Sequence, residues 1–132
     1  MENRFESERI AAIGRDLVAN DPALAQLRAS SARIGYLESD AERRRGGKAV
    51  LGECEKVPSK YRWAVPYDFT VTVFTENAWG FTDEQLRILV LHELLHVGIE
   101  RDGNDERLYV RPHDFEDFDV IAERHGIEWS RR

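Results

Sequence analysis

The chain has 132 residues and a mass of 15.3 kDa, room for one domain with one modest core. Hydrophobic residues at 42% and charged residues at 33% exclude a disordered or fibrous protein. The longest apolar run, Ile88–Leu91, excludes a membrane span, which takes ~20 residues, and the net charge of −6 argues against general nucleic-acid binding. A single cysteine, Cys54, forms no internal disulfide and excludes zinc sites built on cysteine pairs. With no basic-then-apolar leader at Met1–Glu6, a cytoplasmic location is expected.

The N-terminal segment, residues 1–30, reads as helical. Phe5, Arg9-Ile10, Ile13 and Leu17-Val18 follow helical spacing. Asn20-Asp21-Pro22 then breaks and restarts the helix, with Asp21 as N-cap and Pro22 in the first turn. Residues 31–80 read as a sheet region. Ile34–Leu37 is one strand, Ala49–Leu51 opens another, and the Gly46-Gly47 pair between them predicts a hairpin loop. Phe69–Thr75 alternates Val71 and Val73 with Thr70 and Thr72, the period of a strand with two distinct faces.

Residues 81–132 return to helix. Thr82 and Gln85 form a capping box, and Phe81 with Leu86 is placed for a hydrophobic staple. The spacing predicts a helix from there to Gly98-Ile99, then a polar turn at Arg101–Asp105 and a short extended piece, Leu108–Val110. A final amphipathic helix carries Phe115, Phe118 and Ile121 and ends at His125-Gly126.

Inside the capped helix lies His92-Glu93-Leu94-Leu95-His96, an H-E-x-x-H sequence. Four residues advance a helix by ~400°, so the two imidazoles project ~40° apart, one turn along the axis, and can share one metal ion. Glu93 is rotated ~100° from His92, so its carboxylate lies beside the ion, where it can take a proton from an activated water. Between Leu86 and Val97 the only other polar residue is Arg87, which predicts burial on most sides and one polar sector facing a cleft. A shuffled chain of this composition contains the pattern only about once in a hundred.

A catalytic zinc takes three protein ligands and keeps a position for water. His113, just before the final helix and after a chain reversal, is the preferred third ligand. Asp102, Asp105, Glu106 and Glu116 are the carboxylate alternatives. His125, in the last turn of a helix, reads as a dipole-complementing residue. Asp114, Glu116 and Asp117 read chiefly as helix N-terminal acids able to orient a ligand from behind. Tyr109 and Arg111 are weaker candidates for oxyanion stabilisation. Cys54 reads as buried and inert, and Trp63, Trp79 and Trp129 as packing.

Arg33–Leu37, Tyr67–Val73, Glu84-Gln85-Leu86 leading into the H-E-x-x-H sequence, and His113-Asp114-Phe115-Glu116-Asp117-Phe118 together resemble the putative phage metallopeptidase family. The likeness covers most of the chain, from about Ala32 to Trp129, and is more distantly similar to SprT-like proteases. It implies an α+β, minimal zincin-like domain spanning 1–132, with a small, mostly antiparallel sheet packed on a buried active-site helix. It also implies Zn2+ on His92, His96 and His113, Glu93 as general base, a protein or peptide substrate, and a phage or bacterial-host cytoplasmic setting. In such folds an edge strand before the active helix, here Phe69–Thr75, can pair with an extended substrate. Two other readings stand beside this: a non-catalytic zinc-stabilised binding module, and a protease acting on nucleic-acid-bound proteins through Arg43, Arg44, Arg45 and Lys48. For that basic cluster a solvated hairpin loop is the preferred reading.

Overall fold

Ser7 sets where the first helix begins. Its hydroxyl accepts from the Ile10 N–H at 3.1 Å, and helix α1 (Glu8–Asn20) follows. The computed structural model describes residues 2–113, 119–126 and 129. Before the cap the chain is extended, not helical: β1 (Arg4–Glu6) places Phe5 in a strand, half exposed. The apolar spacing that suggested a helix from Phe5 runs through the N-cap, and β1 finds its partner far along the sequence, with Arg4 opposite Ser39. At the far end Asp21 accepts from Ala23 N–H at 2.9 Å and opens a 3-10 turn, Pro22–Leu24, leading into the short α2 (Ala25–Ala29).

The middle of the chain builds the sheet. Its strands are β2 (Ile34–Ser39), β5 (Gly52–Lys56) and β6 (Phe69–Phe74), with β1 on one side, in the order β1-β2-β6-β5. Two of the three pairings are antiparallel, whereas β2 and β6 run parallel, Ile34 opposite Phe69. The most deeply buried strand, β6, occupies an interior position, so Phe69–Thr75 is not the exposed edge that the sequence suggested. That edge is β5. The Gly46-Gly47 turn does close a hairpin, but between two-residue strands of its own, β3 (Arg44–Arg45) and β4 (Lys48–Ala49), and both glycines have positive φ. Val50 and Leu51 lie outside any strand.

The helices cover one face. Gly14 lets α1 approach the sheet closely, because a Cβ there would lie 2.1 Å from the Tyr36 ring. Helix α3 (Asp83–Leu94) starts at the expected capping box, with Thr82 Oγ1 accepting from Gln85 N–H at 3.1 Å and Gln85 Oε1 accepting from Thr82 N–H at 2.9 Å. It buries Leu86, Leu89, Val90 and Leu94 in the same cluster as Ile10, Leu17, Val71 and Val73.

The helix stops four residues earlier than its apolar pattern suggests. Leu95 and His96 form a turn, and Val97-Gly98-Ile99 belong to β7 (Val97–Asp102), which pairs with β8 (Asp105–Val110) around the expected polar turn. Gly98 accounts for part of this, since the Tyr109 ring lies where its side chain would be, a Cβ meeting ring carbon at 2.5 Å. Helix α4 (Asp119–His125) buries Ile121 and ends at Gly126 with φ +77°. Arg124 ties it to the α1–α2 corner through both Asp21 oxygens, at 2.8 and 3.1 Å. The expected helical positions Phe115 and Phe118 lie outside the described residues. The architecture is α+β, and no described helix is long and apolar enough to cross a membrane.

Candidate metal centre

The β7–β8 hairpin determines where His113 goes. Its outermost ladder pair is Val97 with Val110, and the next pair outward, His96 and Arg111, is joined twice. Arg111 N–H donates to the His96 carbonyl at 2.6 Å, and His96 Nδ1 lies 2.7 Å from the Arg111 carbonyl. Two residues beyond, His113 is thereby returned to the end of α3. The ligand-type nitrogens of His92, His96 and His113 all lie within 4.8 Å of one another. His92 Nε2 and His113 Nε2 are at hydrogen-bond distance, 2.9 Å.

This arrangement fits a small cation. Bonds of 2.0–2.1 Å at tetrahedral angles would separate neighbouring nitrogens by roughly 3.3 Å, within the range the three rings span. The Arg111 carbonyl can only accept, so Nδ1 of His96 carries the proton and Nε2 presents its lone pair to the cleft. Burial pushes the His96 pKa down to about 4, partly opposed by that carbonyl, so the ring stays neutral, the form that binds metals. His92 and His96 meet edge to face, ring centroids 5.3 Å apart. The last helical turn tightens at this point, with His96 N–H donating to the Glu93 carbonyl at 3.1 Å.

Glu93 is 4% exposed, yet its carboxylate faces the imidazoles. Oε2 is 4.0 Å from His92 Nε2 and Oε1 is 4.0 Å from His96 Nε2, too far for a direct hydrogen bond between those atoms and near enough for one water to bridge. Gly52 on β5 makes the space. A Cβ there would sit 3.2 Å from Oε2 and 3.0 Å from the Thr72 carbonyl. Nothing in the H-E-x-x-H pattern points to Gly52; the available signal was an isolated glycine in a strand, which often marks a close approach.

The cleft holds about 390 Å³ and is lined by Val50, Gly52, Cys54, Val110, Glu93 and the three histidines, with Arg43, Arg45, Glu53 and Glu55 also facing it. One wall is the outer edge of β5. Phe74 N–H donates to the Leu51 carbonyl and Val57 N–H to the Asp68 carbonyl, both at 2.9 Å. Alternate residues, Gly52, Cys54 and Lys56, therefore direct their N–H and C=O groups away from β6. Among the described residues no strand pairs along that side. Burial and the nearby Glu93 raise the pKa of the Cys54 thiol, so it stays protonated and inert.

Other expected residues fall elsewhere. Glu106 is engaged by Ser31 and by Arg101, 3.1 Å away, and Asp102 and Asp105 face each other across the β7–β8 turn. Among the described residues none of the three joins the histidine cluster. Asp114, Glu116 and Asp117 lie outside the described residues. His125 is exposed at the end of α4. Tyr109 packs on Gly98 and beneath Arg107, a structural role, and Arg111 acts on His96 through its backbone. Trp129 is half-buried against the core, its ring 6.3 Å from His92. Trp63 and Trp79 are not packing residues: they are 87% and 75% exposed, each on a loop beside β6.

The sequence profile of the putative phage metallopeptidase family matches residues 2–132. No curated protein and no solved structure matches the chain.

Proposed function

The chain belongs to the putative phage metallopeptidase family, and on that premise we propose that it is a zinc-dependent peptidase with His92, His96 and His113 as metal ligands and Glu93 as general base. The observation that carries this reading is the buried Glu93 carboxylate, 4.0 Å from the Nε2 atoms of both H-E-x-x-H histidines. A zinc ion held by three imidazoles supplies Lewis acidity, polarising a carbonyl and bringing the pKa of a water toward ~7.

The protein's own groups do the rest. The Arg111 carbonyl fixes the His96 tautomer, and the hairpin register holds His113 at the end of α3. Glu93 accepts the proton of the attacking water and later delivers it to the departing amine. Its burial between Gly52 and the helix keeps it close to the reacting atoms. The outward N–H and C=O groups of Gly52 and Cys54 give an extended peptide a strand to pair with, laying its backbone along the cleft.

The test is Glu93→Gln. The variant retains zinc and loses turnover of a denatured protein substrate by ~100-fold or more. Undiminished turnover removes Glu93 from the role assigned to it.

A further inference from the structure

The β3–β4 hairpin borders the cleft, and its charges are unevenly satisfied. Arg43, just before it, donates to Glu53 Oε2 at 2.6 Å. Arg44 donates back to the Gly47 carbonyl at 3.2 Å, within the hairpin itself. Arg45 and Lys48 stand directly opposite each other across the two-glycine turn, both exposed. Neither meets a carboxylate among the described residues, although Arg9, Arg62, Arg101 and Arg107 do. Like charges facing each other across a strand pair are unfavourable, and an anion placed between them relieves the repulsion. Arg45 also faces the cleft that holds Glu93 and the histidine cluster; of the other carboxylates lining it, Glu53 is engaged by Arg43 and Arg4, and Glu55 lies 3.8 Å from Arg4.

We propose, resting on the peptidase reading, that Arg45 and Lys48 select substrates by gripping an acidic side chain close to the scissile bond. Arg45, β5 and Glu93 line one cleft, so a peptide lying along β5 reaches both Glu93 and the hairpin. At ~3.3 Å per residue of extended chain, the selected Asp or Glu falls within a few residues of the cut. Arg45 offers the planar fork that matches a carboxylate, and Lys48 adds a point charge beside it. Nucleic acid is the weaker candidate for the same cations, because the chain carries a net charge of −6 and the hairpin offers few contacts for a phosphate backbone.

The experiment uses the zinc-loaded full chain on a peptide library made by digesting a proteome, with cleavage sites read by mass spectrometry. The expected result is enrichment of Asp or Glu at one position near the cut. Charge reversal in Arg45→Glu/Lys48→Glu should turn that preference toward Lys or Arg. The ratio of kcat/KM for matched acidic and basic peptides should change at least tenfold, and Arg45→Gln should give an intermediate ratio. Retained zinc stoichiometry reports that each variant is folded. No acidic preference in the wild type, or an unchanged one in the reversed variant, overturns the proposal. So does salt-sensitive binding of duplex DNA that the reversed variant loses while its peptide preference stays the same.

Binding of labelled acidic and basic peptides to zinc-loaded Glu93→Gln separates this proposal from the peptidase reading. Tighter binding of the acidic peptide, lost on charge reversal, supports charge selection even if no peptide is cut. Equal binding of both overturns it even if cleavage occurs.

Discussion

Gly52 and Glu93 are in tight contact: a methyl group on Gly52 would lie 3.2 Å from the Glu93 carboxylate and 3.0 Å from the Thr72 carbonyl. The methyl group would push on both, so β5 must ease from the Thr72 carbonyl and the Glu93 side chain must shift by a few tenths of an ångström. Gly52→Ala should therefore shift the Glu93 carboxylate slightly relative to the imidazoles. Turnover is expected to fall by about threefold to tenfold, with zinc affinity nearly unchanged, and Gly52→Val should be worse. Paired kinetic and metal-binding measurements check this; full activity in Gly52→Val would contradict the packing argument.

Metal and fold should be linked. The three imidazoles come from the end of α3 and from the segment beyond the β7–β8 hairpin, so an ion bridging them joins parts of the chain distant in sequence. Binding to the folded chain alone stabilises it by ~2.7 kcal/mol at a hundredfold excess over Kd. Chelation should lower the thermal midpoint of the wild type and leave that of His113→Ala nearly unmoved. Equal shifts in both proteins would take His113 out of the ligand set.

The Asp21–Arg124 contact should make stability depend on acid. Hydrogen bonding from Arg124 holds the Asp21 carboxyl below the usual aspartate range, against an opposing effect of burial. A lowered folded-state pKa adds stability above the unfolded pKa of ~3.9, and this is lost as pH falls through the folded value. Asp21→Asn keeps a side-chain acceptor for Ala23 N–H but removes the charge. It should cost ~0.5–1 kcal/mol near neutral pH, the scale of a partly exposed pair, and nothing in strong acid. Denaturant unfolding at several pH values measures the difference.

The capping box should matter for the site as well as for the helix. Thr82→Ala leaves the Gln85 N–H without its acceptor, and a destabilisation of ~0.5–2 kcal/mol is expected. His92 and Glu93 stand at the other end of α3, so zinc affinity should change little once the protein is folded. A large loss of affinity would show that the start and end of the helix are coupled.

Local chemistry in the sequence was easiest to read. The Thr82–Gln85 box, the Asp21-Pro22 restart, the Gly46-Gly47 turn and the left-handed Gly126 are each decided within a few residues, and each is present. Competition between distant partners was not legible. Phe5 heads the series that runs through Arg9-Ile10, Ile13 and Leu17-Val18, yet its segment pairs with β2, and Val97–Ile99 continue an apolar helix pattern while pairing with β8. The parallel β2–β6 pairing leaves β5 at the edge, a topology that no strand announces by itself. In the site, His92, Glu93 and His96 follow from residue type and spacing, and His113 from its place before the final helix and from the family resemblance. The Arg111 carbonyl and the gap at Gly52 do not, because one is backbone and the other is an absent side chain.

The most direct test of the central claim is X-ray absorption at the zinc edge of protein loaded with zinc, together with the bound stoichiometry. The account predicts one ion per chain, held by three imidazole nitrogens and one oxygen from exchangeable water, with one imidazole lost in His113→Ala. A fourth protein ligand, a sulfur in the coordination shell, or an unaltered spectrum in that variant would contradict it.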